Sequence, residues 1–396
     1  MRISFVHIVA LAFMAWPGFG PAQTRADCDA DPLTCLSEAV VLIEESGAGD
    51  ANKLGLRVAY IGALARSGEF ERAGVVADTL NRPRDIVPAQ LALANSLGAA
   101  GQVAAASAAI AKALEAANRT EYPSLRLDML ADIARVQMLA GDTVGASASL
   151  APVMAELEAM PAGFRRNALI IKAIKSGVLF QDIEAAQALA YSIDAAYDWD
   201  EPILEIAYYL AGKGQPDLGL AEILKIENSA TRMSALTAYV LESTDIGQND
   251  VARDAVGNTM VAAYRDGTPT SRAFITIRAI TALTKLGDES ASAQIRRAFS
   301  LAQGGLSRTS YAGFIVELSV YYSISGQHAR AVDVLEVALR TAEEIDDENV
   351  RIFPIGEVVA AFARHGATGR AFEIVQSAQD ADTRALWLLL MADELG

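Results

Sequence analysis

Apolar residues return every three or four positions along nearly the whole chain, the spacing of one face of an α-helix. Between Phe314 and Leu339, Ile315, Leu318, Ser319 and Tyr322 share such a face, Gly326 interrupts it, and Ala331, Leu335 and Ala338 resume it. The interruption predicts a helix end, because a residue without Cβ enters the left-handed conformation that closes a last turn. The alanine five residues later predicts a close approach of two antiparallel helices. The same step from glycine to a small residue recurs at Gly68/Ala73, Gly101/Ala106, Gly141/Ala146, Gly214/Gly219, Gly247/Ala252 and Gly366/Ala371. A looser copy lies at Gly287, with Ala291 and Ala293, and a copy without glycine at Gln181/Ala186. Steps of 33 or 40 residues, or multiples of that size, separate the glycines. A period of this length predicts stacked supersecondary units, here helical hairpins.

Slot for slot, Ile315, Leu318, Ser319, Tyr322, Ala331, Leu335 and Ala338 carry the large and small residues of a known two-helix repeat. So do Ile203, Ile206, Ala207, Leu210, Gly214, Gly219 and Ile223, and again Leu130, Ile133, Ala134, Gly141, Ala146 and Leu150. On these residues the chain resembles the tetratricopeptide (TPR) repeat family, although its 40-residue units exceed the usual 34. The resemblance implies an all-α fold, a right-handed α-solenoid of about nine helical hairpins over residues 50–380. It also implies that first helices line a concave groove and second helices the convex back. The segment Cys35 to Ser46 predicts a capping helix within residues 23–49. Asp382 to Leu395 predicts another within residues 381–396, with Asp382 as its N-cap. Contacts are then expected between neighbouring hairpins.

At 396 residues and 52% hydrophobic content the chain can bury a continuous core. Its first residues, MRISFVHIVALAFMAWPGFGPAQ, combine Arg2, an apolar stretch from Ile3 to Trp16, Pro17-Gly18 and the small-residue run Gly20-Pro21-Ala22. That order predicts a signal peptide over residues 1–22, cut after Ala22 or, second, after Ala26, and a periplasmic or secreted protein. Cys28 follows Arg25-Ala26-Asp27, so no lipobox is present. Export in turn predicts a Cys28–Cys35 disulfide, since these are the two cysteines of the chain.

Candidate chemistry is sparse. The three histidines include His7 in the predicted signal, and His328 and His365 beside turn glycines. No His-Glu-x-x-His, phosphate-cradling loop or calcium loop occurs, so neither a metal nor a cofactor is predicted. The net charge of −16 disfavours nucleic acid. The charge is also uneven: first-helix segments carry more Lys and Arg than Asp and Glu, and second-helix segments the reverse. Two first helices lack acids altogether, around Arg165, Arg166, Lys172 and Lys175 and around Arg272, Arg278 and Lys285. With the groove implied by the resemblance, Arg135, Arg165, Arg166, Lys172, Arg272, Arg278 and Tyr208 are the candidate partner-binding residues. The expected function is a non-enzymatic envelope scaffold holding another protein or an extended, acidic peptide in a mildly basic groove. The competing expectations are an α-helical, carbohydrate-active enzyme, resting on Asp198, Asp200, Glu201, Glu205, Tyr208 and Tyr209, and a small-molecule sensor.

Overall fold

The computed structural model describes residues 49–193, 200–243 and 246–395, with residues 31, 33–34, 36–37 and 40–41 before them. Residues 1–22, Cys28 and Cys35 lie outside the described residues, and with them the predicted signal peptide and disulfide. The described chain is helical throughout, and no strand occurs among the described residues.

The helices alternate as the glycine pattern predicts. In chain order they are α1 (Asp50–Arg66), α2 (Phe70–Asp78), α3 (Pro83–Ala99), α4 (Val103–Asn118), α5 (Pro123–Leu139), α6 (Thr143–Ala159) and α7 (Phe164–Lys175). There follow α8 (Ile183–Tyr191), α9 (Asp200–Gly212), α10 (Pro216–Leu224), α11 (Ser229–Glu242), α12 (Asn249–Asp266) and α13 (Pro269–Lys285). The last are α14 (Ala291–Gly305), α15 (Arg308–Ile324), α16 (His328–Glu343), α17 (Glu348–Arg364), α18 (Thr368–Ser377) and α19 (Ala381–Glu394). Odd-numbered helices are the first helices of the sequence pattern and even-numbered ones the second.

The turn glycines behave as single left-handed residues. Gly326 has φ +76°, and the amide of Gln327 reaches back to the carbonyl of Tyr322, the six-to-one bond that closes a helix end. Glu69, Gln102, Asp142, Gln215, Asp288 and Ala367 make the same bond after their own glycines. Two positions depart from the pattern. Gly247 is not among the positive-φ glycines. The copy placed at Gln181 does have a glycine, Gly177 at φ +73°, followed by a 3-10 turn over Val178–Gln181 that displaces it from register.

The small residue after each turn is buried: Ala73, Ala106, Ala146, Ala186, Ala252, Ala331 and Ala371 all have no exposed surface. At Gly219 not even a methyl fits. A Cβ there would lie 2.6 Å from the carbonyl oxygen of Ala207 and 2.9 Å from the hydroxyl of Tyr239.

The chain divides into two compact units, residues 1–116 with 362–396, and residues 117–361. In the second unit α5, α7, α9, α11, α13 and α15 pack each on the next, while α6, α10, α12, α14 and α16 each lie against the odd helix of their own hairpin. In the first unit α1 packs on α3 and also on α19, the last helix of the chain. Neighbouring hairpins are thus in contact there too, and the α1–α19 packing adds a contact that the neighbour-only expectation does not contain. α19 does lie on α18, as a terminal helix would, but its other neighbour is separated from it by more than 300 residues.

Candidate partner-binding face

The odd helices of the second unit share one polar strip, built from side chains that bridge each helix to the next. Arg165 on α7 donates Nη1 to Asp128 Oδ2 on α5 at 3.0 Å, and Nη2 to the carbonyl of Ser124 at 2.7 Å. Two turns further along α7, Lys172 Nζ meets Asp132 Oδ2 at 2.6 Å. Lys175 pairs with Glu201 on α9. Arg278 on α13 donates to Glu317 on α15 through Nε (2.9 Å) and Nη2 (2.7 Å), and to Ser234 on α11 through Nη1. Its guanidinium also stands over the Phe274 ring, 5.8 Å from the centroid. These groups are half-exposed, so each pair contributes about 0–1 kcal/mol.

This arrangement pairs several cations of the strip without changing its net charge. Arg165, Lys172 and Arg278 do lie on odd helices as expected, but each is neutralised by a carboxylate of the adjacent odd helix. Counting charge helix by helix hid this, because the acid sits one repeat away from its base.

Arg166 and Arg272 leave the strip. Arg166 reaches the Ser192 hydroxyl at the end of α8, 3.2 Å away. Arg272 is the fourth residue of α13, with its stem against Gly267 at the α12–α13 junction. Arginines at the fourth position of other odd helices reach back to the preceding even helix. Arg232 donates to the Ile226 carbonyl (2.6 Å), Arg351 to that of Ile345 (3.5 Å) and Arg384 to that of Ala378 (3.1 Å). Each satisfies a carbonyl left open at the end of the preceding even helix.

Arg135 is exposed on α5, and its charge reaches Glu205 on α9. Around Glu205 the strip changes character. Burial raises its pKa above the ordinary carboxylate range. Lys175 and Arg135 pull it back, and Glu201 and Glu242 push it further up. Tyr208, one turn on, is driven well above an ordinary phenol by burial first and by Glu242 next. Its ring stacks on Tyr239 with centroids 5.9 Å apart. A second carboxylate pair lies across α15 and α17, where burial and then Glu317 raise the pKa of Glu357. Of the acids behind the enzymatic expectation, Asp198 lies outside the described residues, whereas Asp200 and Glu201 begin α9. Among the described residues no group of three or more His, Cys, Asp or Glu is placed to hold a metal ion.

The odd helices of the first unit are different. α1, α3 and α19 enclose a shallow apolar depression of about 430 Å³, lined chiefly by Leu54, Gly55, Val58, Pro88, Ala92 and Leu389. No helix among the described residues is long and apolar enough to cross a membrane.

No family model matches the chain, and no curated protein matches it. Among solved structures it is similar to Ton1535 from Thermococcus onnurineus NA1, at 13% identity and a TM-score of 0.32 over 92% of this chain and 98% of that one. It is also similar to a chain of the Naa15/Naa10 complex bound to HypK-THB, at 10% identity and a TM-score of 0.19 over 95% of this chain and 69% of that one. Scores this low bear on neither fold nor function.

Proposed function

We propose that the protein is an exported, non-enzymatic scaffold of the bacterial envelope that holds an extended polypeptide along the odd helices of its second unit. In this reading the helices are a TPR-like, right-handed α-solenoid of about nine hairpins, and the odd helices are its concave side. The observation that carries the reading is the polar strip running across consecutive odd helices. A surface repeated from helix to helix suits a partner that is itself extended, each repeat adding a small contribution. Because the cations of the strip are paired, the partner need not be acidic. Recognition rests on hydrogen bonding and on exposed groups such as Arg135, with little net attraction. Export and the Cys28–Cys35 bond belong to the same proposal.

Capture from envelope extract tests it. The wild-type protein should retain a defined polypeptide, identified by mass spectrometry, and Arg135→Glu with Tyr209→Ala should release it. Glu158→Arg, on the exposed side of even helix α6, should not. Retention by the first variant together with loss by the second would refute the assignment.

One observation favours a second reading. Glu205 beside Glu242 and Tyr208 places two carboxylates near each other on the same strip, as glycoside hydrolysis requires. Hydrolysis of an envelope polysaccharide that is abolished in Glu205→Gln would establish that reading.

A further inference from the structure

Asp382 is the second residue of α19, yet it does not cap that helix. Asp380 does, accepting from the Thr383 amide at 2.8 Å. The Asp382 carboxylate is turned instead to the start of α1, where Oδ1 accepts from the Gly49 amide at 2.7 Å and from Asn52 Nδ2 at 2.9 Å. At the far end of α1, Arg66 Nη2 donates to the carbonyls of Leu395 (2.8 Å) and Ala392 (3.4 Å). Between these anchors Gly55 gives Leu389 room, since a Cβ on Gly55 would lie 3.3 Å from Leu389 Cδ2. Both ends and the middle of α1 therefore bear on the last helix of the chain. Residues 378–380 alone join α19 to α18, and the Arg364–Glu394 ion pair holds its other end.

We propose that α19 is a clasp: α1 is fully packed only once the final helix has been made, and release of α19 is the first step by which the first unit opens. A single helix in water is held by tertiary packing more than by its own propensity. Chains fold as they are synthesised, so α1 must wait for a neighbour encoded after the whole second unit. The anchors are directional, charge-assisted hydrogen bonds on exposed groups. Their donors and acceptors can turn to water, while between them α19 is held by a buried apolar face, with Ala385, Leu388, Met391 and Ala392 almost wholly covered.

Hydrogen exchange on the full chain, read by mass spectrometry, tests the clasp. In the wild type, amides of α1 and α19 should exchange at a common rate. In Asp382→Ala/Arg66→Ala both should accelerate together by about tenfold or more, with α13 and α15 unchanged. Acceleration of α19 with α1 unaffected would overturn the proposal, as would a wild-type α1 far better protected than α19. A chain ending at Ser377 provides a second readout. Loss of protection in α1 with the second unit intact supports the clasp. Full protection of α1, or collapse of the second unit too, counts against it.

Discussion

Gly219 holds the position that alanine fills in the other hairpins, and adding one methyl there should be harmful. The new Cβ would sit 2.6 Å from the Ala207 carbonyl oxygen, and ordinary contact begins near 3.4 Å, so α10 must move off α9 by about 0.8 Å. The obstacle is backbone, which cannot rotate aside. The same shift disturbs Tyr239, whose hydroxyl donates to the Pro216 carbonyl at 3.0 Å and would itself lie 2.9 Å from the methyl. Overpacking of this kind costs ~1–3 kcal/mol. Against it stands the better helix propensity of alanine, worth ~1 kcal/mol. Gly257 in α12 separates the two effects, because a Cβ there meets nothing within 4 Å. Gly257→Ala should raise the urea midpoint, and Gly219→Ala should fall below it by the overpacking cost, ~1–3 kcal/mol. If Gly219→Ala is as stable as Gly257→Ala, the close approach of α9 and α10 is not what excludes a side chain there.

Three further outcomes are expected. Gly326→Val should cost at least ~1 kcal/mol in urea unfolding, since valine resists φ +76° although no atom crowds the site. The folded pKa of Glu205 is raised, so its contribution to stability is present below the ordinary carboxylate pKa and lost as pH rises through the folded value. Glu205→Gln should therefore stabilise the protein at pH 7, and the gain should vanish in melts at pH 4. Intact-mass analysis of exported protein should show loss of the first 22 or 26 residues and two hydrogens fewer for a Cys28–Cys35 bond. Full-length protein with alkylatable thiols would contradict export.

The local fold was legible because its determinants are local. Turn glycines such as Gly326 announce themselves by what a Cβ forbids, and the buried alanines by their fixed distance from the turn. What was not legible depends on partners distant in sequence. Asp382 looked like a helix cap, and only the fold places Gly49 and Asn52 in front of it. Gly177 was overlooked because a 3-10 turn moved it out of register. The pairing of the strip's cations was hidden for a related reason. Arg165 and Lys172 stand on a helix without acids, but their partners Asp128 and Asp132 come from the preceding odd helix.

Site-resolved photo-crosslinking in intact cells bears most directly on the binding face. A photoreactive residue would replace Arg135 or Tyr209 on odd helices, or Glu156 or Glu158 on the exposed side of α6. Both odd-helix positions should form adducts with one and the same polypeptide of the envelope, and both α6 positions with none. Adducts from α6 alone, or the same adducts from all four positions, would contradict a binding face on the odd helices.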